Sequence, residues 1–352
     1  MTLDSSFPLR PSELLLAYEH AAPRRQLSFA SARTGDLMAW RASCLTKLRE
    51  LLQLVEPEPC AARELRRVVH DGVQLRALVM PVGRQLTLPG YLLEPAQGMI
   101  SRSTVIAIHG HGDAEACIGT RDDYHHGFAL ELARRGHRVL CPALRGFGTL
   151  AELSRDIPGN RLEYWNWQHQ HKAYSLVTDS FLYGDSLLGE TTMDLLRWED
   201  WLCRETGAVA VDVAGISYGG DLALIYPVFS RRVRRIFASG TLGSFTAVFK
   251  RCYNAPAHCL PGVLAWMDRS DIAGLNAPRP IALHYGERDV PGPQNGSASY
   301  NETVASSLAE LEAIYRGFDA PCAPRLIVSK GLGHEMDIGA LAAFLDDRQA
   351  CP

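Results

Sequence analysis

The chain has 352 residues, enough for a core that hides about three quarters of the unfolded surface. Hydrophobic residues make up 47% and charged residues 21%, which excludes a largely disordered chain. With 36 basic against 39 acidic residues and a net charge of −3, no basic stripe is present, so nucleic-acid and anionic-membrane partners have no electrostatic support.

In chain order, residues 12–55 read as helical. Leu14, Leu15, Leu16 and Tyr18 form one segment, and Leu37, Trp40, Leu45, Leu48, Leu51 and Leu52 recur at the three-and-four spacing of an amphipathic helix. Pro57 and Pro59 close that section. Residues 1–62 are therefore expected to form a helical N-terminal extension, serving as a lid or as the contact of a homodimer. From 64 to 95 the pattern turns β-like, over 67–70, 73–79 and 85–93, with Asp71-Gly72 as a hairpin turn. Beyond 103, short apolar strands at 104–108, 138–142, 211–216, 235–239, 280–285 and 325–329 alternate with helices at 127–135, 193–204, 222–228, 305–315 and 338–345. That alternation predicts an α/β fold: a mostly parallel central sheet with helices on both faces, preceded by the hairpin. Residues 63–350 are expected as one catalytic domain, interrupted by lid-like insertions at about 145–190 and 241–277.

Residues able to do chemistry gather at the predicted strand ends. Gly215-Ile216-Ser217-Tyr218-Gly219 is a G-x-S-x-G turn between a strand and a helix, the setting in which a serine hydroxyl is held above a sheet. A serine needs a base, and the base needs an orienting carboxylate. Downstream, a strand end carries Glu287 and Asp289, and the final strand runs into Gly331-Leu332-Gly333-His334. Asp289 is the expected acid, with Glu287 its competitor, and His334 the expected base. After the first parallel strand, His109-Gly110-His111-Gly112 is placed to supply one oxyanion-hole amide. The backbone N–H groups of His111 and Tyr218 are assigned that role. Arg145 is a candidate substrate contact, with loop pinning as its alternative. Trp165 and Trp167 are further candidate substrate contacts, with lid packing as theirs. His109, His111, His125, His126, His169 and His171 lack a properly spaced Cys, Asp or Glu set, so no metal is expected. The nine cysteines form no C-x-x-C and are expected as thiols. No basic segment followed by an apolar run opens the chain, and no stretch nears the roughly 20 apolar residues of a membrane span; a cytoplasmic protein is expected.

Four segments together resemble the α/β-hydrolase superfamily: His109-Gly-His-Gly112, Arg145-Gly-Phe-Gly148, Gly215-Ile-Ser-Tyr-Gly-Gly220 and the run from Asp271 to Pro280. More narrowly they resemble the dienelactone-hydrolase-like and acetyl-xylan-esterase-like serine esterases, over roughly residues 64–348. Dienelactone hydrolases proper place a cysteine where this chain has Ser217. The resemblance implies cofactor-free hydrolysis of a small-molecule carboxylic ester, of carboxylesterase or deacetylase type, through an acyl-enzyme on Ser217. Two other readings stay open: a peptidase or amidase like the prolyl oligopeptidases, which share G-x-S-Y-G-G but carry a propeller this chain has no room for, and a non-hydrolytic enzyme or binding module on the same fold.

Overall fold

The computed structural model describes residues 25–32, 36–83, 86–97, 102–150, 174–245, 256–289 and 303–347. Among these, nine strands form one sheet: β1 (Arg63–His70), β2 (Val73–Val82), β3 (Leu86–Pro95), β4 (Thr104–Ile108), β5 (Arg138–Pro142), β6 (Val211–Ile216), β7 (Val233–Ser239), β8 (Ile281–Gly286) and β9 (Arg325–Ser329). Their order is β1-β2-β3-β5-β4-β6-β7-β8-β9. β1, β2, β3 and β5 pair antiparallel, and every pairing from β5 through β4 to β9 is parallel. The expected hairpin is present, with His70 opposite Val73 and both Asp71 and Gly72 at positive φ, the backbone a two-residue primed turn demands. β1 is an edge strand rich in exposed arginine, which blunts pairing with other chains. β4, β6 and β8 are buried along their whole length, as apolar runs covered on both faces should be.

The helices are α1 (Leu37–Leu51), α2 (Ala114–Cys117), α3 (Phe128–Arg134), α4 (Tyr174–Leu182), α5 (Leu187–Thr206), α6 (Tyr218–Ile225), α7 (Arg269–Gly274), α8 (Val304–Gly317) and α9 (Ile338–Asp346). One layer runs from α5 through α6 and α7 to α8, and α3 packs with α9 in the other. The sequence placed its insertions at 145–190 and 241–277 as irregular. Their described parts instead hold α4 and the start of α5, capped by the Ser186 hydroxyl on the Gly189 amide, and α7, closed by an Asp268–Asp271 capping box. α4 and α7, of nine and six residues, are too short for periodicity to reveal, and α5 starts at its Ser186 cap, ahead of the expected 193. The first predicted helix of the extension and Trp165 and Trp167 lie outside the described residues.

α1 is where the second predicted helix falls. Trp40, Cys44, Leu48 and Leu52 are buried within the chain. Trp40 meets Phe29 edge-on at 5.3 Å and Phe318 at 6.1 Å, and its indole N–H donates to the Leu27 carbonyl. Arg41 lies 4.1 Å over the Phe318 ring and donates to the Ala277 carbonyl. Cys322 departs from the expectation of thiols throughout: it is disulfide-bonded. Cys44, Cys60, Cys117, Cys141, Cys203 and Cys259 are thiols. Among the described residues, no helix is long and apolar enough to cross a membrane.

Candidate active site

The strand order reverses around β4: the chain leaves it for β5 on one side, and β6 lies on the other. The loops after β4 and β6 therefore meet at the carboxyl ends of the strands, where open α/β sheets form their crevice. Ser217 sits between β6 and α6 at φ 58° and ψ −121°, a conformation that costs a non-glycine residue about 1–3 kcal/mol. The turn is tight enough to require its glycines. A Cβ on Gly215 would lie 2.0 Å from the Gly219 carbonyl oxygen, and one on Gly219 would lie 2.2 Å from that of Ile108.

Ser217 N–H donates to the Ser239 carbonyl at the end of β7. The next residue, Gly240, is at φ 61°, and a Cβ there would lie 2.5 Å from Cε1 of His334 and 3.6 Å from Oδ2 of Asp289. The serine, the imidazole and the carboxylate thus gather around the dipeptide Ser239-Gly240. Nδ1 of His334 is 2.9 Å from Asp289 Oδ2. The Asp289 side chain is 1% exposed and that of His334 17%. Glu287, two residues before Asp289, is exposed and accepts the Gly331 amide instead. A buried carboxylate on Nδ1 keeps the proton there and fixes the ring's tautomer.

The loop after β4 reaches the serine directly: a Cβ on Gly110 would lie 2.8 Å from the Ser217 Cβ. His111 follows, its ring stacked on His258 at 5.2 Å and edge-on to Phe147 at 5.2 Å. Tyr218 is fully buried in the first turn of α6. His109 is fully buried, and burial pushes its pKa down to about 3, so it is neutral. Its Nδ1–H donates to the Gly110 carbonyl at 2.8 Å, and its Nε2 accepts the Leu144 amide at 3.1 Å. Arg145 is clamped by Asp194 through two bonds of 2.6 and 3.0 Å and by Glu190 at 3.1 Å. Burial opposes its charge, but Asp194, Glu190 and Asp185 together outweigh that and raise its pKa. These are the contacts of a loop pin, the alternative read for it from sequence.

Two further groups escaped the sequence reading. Asp221, one turn along α6 from Ser217, takes a bidentate bond from Arg269 at 2.7 Å on each oxygen and also contacts His258 and Thr241. Burial would raise its pKa, but Arg269 and His258 reverse that and hold it at about 2. An aspartate four residues after the candidate nucleophile was the available signal. The second group is the segment 123–126, between the loop after β4 and His334. Among the described residues, no three His, Cys, Asp or Glu side chains converge as a metal site.

No family model and no curated protein matches the sequence. Solved structures do match its fold. A Bacteroides fragilis protein assigned as an acetyl xylan esterase is similar over 92% of this chain and 84% of its own, with 14% identity and a TM-score of 0.70. A glucuronoyl esterase from Solibacter usitatus is similar over 94% and 97%, with 12% identity and a TM-score of 0.61. Acetyl xylan esterase 1 from Thermoanaerobacterium is similar over 96% and 98%, with 17% identity and a TM-score of 0.56. The fold is that of the α/β-hydrolases. Within it, the turn at Ser217, the loop at His109–Gly112 and the late loops carrying Asp289 and His334 fall at the strand ends where this fold carries its chemistry.

Proposed function

We propose that the protein is a serine esterase acting on a short acyl ester, of the deacetylase kind. His334 takes the Ser217 proton as the hydroxyl attacks the ester carbonyl, and Asp289 stabilises the imidazolium and fixes its orientation. The amides of His111 and Tyr218 receive the oxyanion. His334 then protonates the leaving alcohol, and a water activated by the same imidazole releases the acid from Ser217. The observation that carries this reading is the Asp289–His334 bond beside Gly240, whose neighbour Ser239 holds the Ser217 amide. The matching structures bear the names of esterases for acetylated xylan and for glucuronoyl esters, which favours an ester, and a carbohydrate ester first, over an amide.

The test is labelling with a fluorophosphonate probe alongside turnover of p-nitrophenyl acetate, acetylated xylo-oligosaccharides and peptide anilides. Wild type is expected to take up the probe and cleave the acetyl esters, and Ser217→Ala to do neither while staying folded. Labelling that survives in the alanine variant, or anilides cleaved in preference to esters, refutes the proposal.

A further inference from the structure

His125 is fully buried, and both of its ring nitrogens are engaged. Nδ1 lies 2.7 Å from Asp123 Oδ1, and the Gly110 N–H donates to Nε2 at 2.8 Å. A backbone amide can only donate, so Nε2 carries the lone pair and Nδ1 the proton. Gly112, at φ 149°, makes room for this: a Cβ there would lie 3.2 Å from Cε1 of His125. The adjacent residue works on the same loop, since the Tyr124 hydroxyl donates to the His111 carbonyl at 2.7 Å.

Together with His109, these residues hold three consecutive peptide units. The Gly110 N–H is held by His125, the Gly110 carbonyl by His109, and the His111 carbonyl by Tyr124. The middle unit is the one that carries the His111 N–H. Because a peptide is planar and trans, fixing its carbonyl on one side aims its N–H to the other. The same segment also grips the loop of His334. The Tyr124 ring stacks on the His334 ring at 5.4 Å, its carbonyl accepts the Met336 amide at 2.9 Å, and His126 Nε2 lies 2.7 Å from Glu335 Oε2.

We infer that residues 123–126 form a positioning strap that sets the His111 amide relative to the His334 imidazole, with His125 as the acceptor that keeps the oxyanion loop aimed. The inference rests on the esterase reading above. Fixed donors matter because a dipole already aimed at the developing charge needs no reorganisation during reaction.

The experiment compares His125→Leu, His125→Gln and Tyr124→Phe with wild type on p-nitrophenyl acetate, counting competent sites by fluorophosphonate titration. His125→Leu is expected to lower kcat per titrated site about 10- to 100-fold with KM within about twofold, short of the 10²–10³ that follows outright loss of an oxyanion donor. His125→Gln, whose amide oxygen can accept the Gly110 N–H, should recover most of the loss. Tyr124→Phe should lower kcat about three- to tenfold. An unchanged kcat in the leucine variant, a loss confined to KM, or a glutamine variant no better than leucine overturns the strap. If the leucine variant does not fold, Tyr124→Phe decides, and wild-type kcat in it overturns the strap. A wild-type protein inert to both ester and probe defeats the esterase reading itself, whereas an active wild type with unaffected variants defeats the strap alone.

Discussion

Among the imidazole–aspartate pairs near Ser217, those of His125 and His334 share a carboxylate on Nδ1 and differ in what surrounds the ring. In the segment after α2, Asp123 holds Nδ1 of His125 while Nε2 receives a backbone amide that stays where it is. In the loops after β8 and β9, Asp289 holds Nδ1 of His334, and the Cε1 edge of that ring lies against Gly240, beside the residue bonded to the Ser217 amide. The carboxylate does the same thing in both: it fixes a tautomer. On the proposed reading the same pair serves as a base at His334 and as a bracket at His125, so its surroundings and not the pair itself set its role.

That contrast is sharpest in substitution. His334→Ala should lower kcat on p-nitrophenyl acetate by 10⁴-fold or more, and Asp289→Asn by about 10³–10⁴, because the wrong tautomer disables the base. Asp123→Asn should cost less than about tenfold, since the asparagine oxygen can still accept both the Nδ1–H and the amide of His125. Equal losses at Asp123 and Asp289 would erase the distinction between bracket and base.

The next expectation concerns stability rather than rate. Folded His109 is protonated only near pH 3, against about 6.5 when unfolded, so between these values the unfolded chain binds more protons. Stability should therefore fall as pH drops through that window. Asp221, held at about 2 against an ordinary 3.8, adds a loss in the same direction at the lower end, from about pH 4 downward. Urea midpoints taken from pH 7 to pH 4 should decline in wild type and decline less in His109→Asn; a parallel decline in both would remove His109 as the cause. The smallest effect is expected at Glu287→Gln, with kcat within about twofold, because that carboxylate touches the Gly331 amide and not the imidazole.

Much of this was legible in the sequence. Continuous apolar runs announced β4, β6 and β8, and Asp71-Gly72 announced the hairpin. The turn at Ser217 could be read because glycines 215 and 219 are required by carbonyls about 2 Å from where their Cβ atoms would be. Asp289 is the expected acid with Glu287 its competitor, and the direction each side chain takes separates them: Asp289 meets the His334 ring and Glu287 the Gly331 amide. The pairing of Asp221 with Arg269 and His258 joins residues up to 48 positions apart that no spacing rule connects. His125 and His126 carried no signal in the sequence beyond the lack of a metal-ligand spacing, whereas one meets the Gly110 amide and the other Glu335. β7 begins at Val233, ahead of the expected 235: Val233 is already buried, Arg234 faces outward, and Arg235 is clasped by Asp212 of β6.

α1 has a consequence for any attempt to shorten the protein. Its tryptophan, Trp40, lies against Phe318, which follows α8, and its arginines and lysine lie over aromatic faces contributed by residues 229, 266 and 318. A fragment trimmed to begin at β1 would bare those rings together with the hollow left by Leu48 and Leu52, and would be expected to clump rather than to work as a minimal enzyme. Engineering for size therefore has to keep α1, or graft a replacement that restores the same greasy cover.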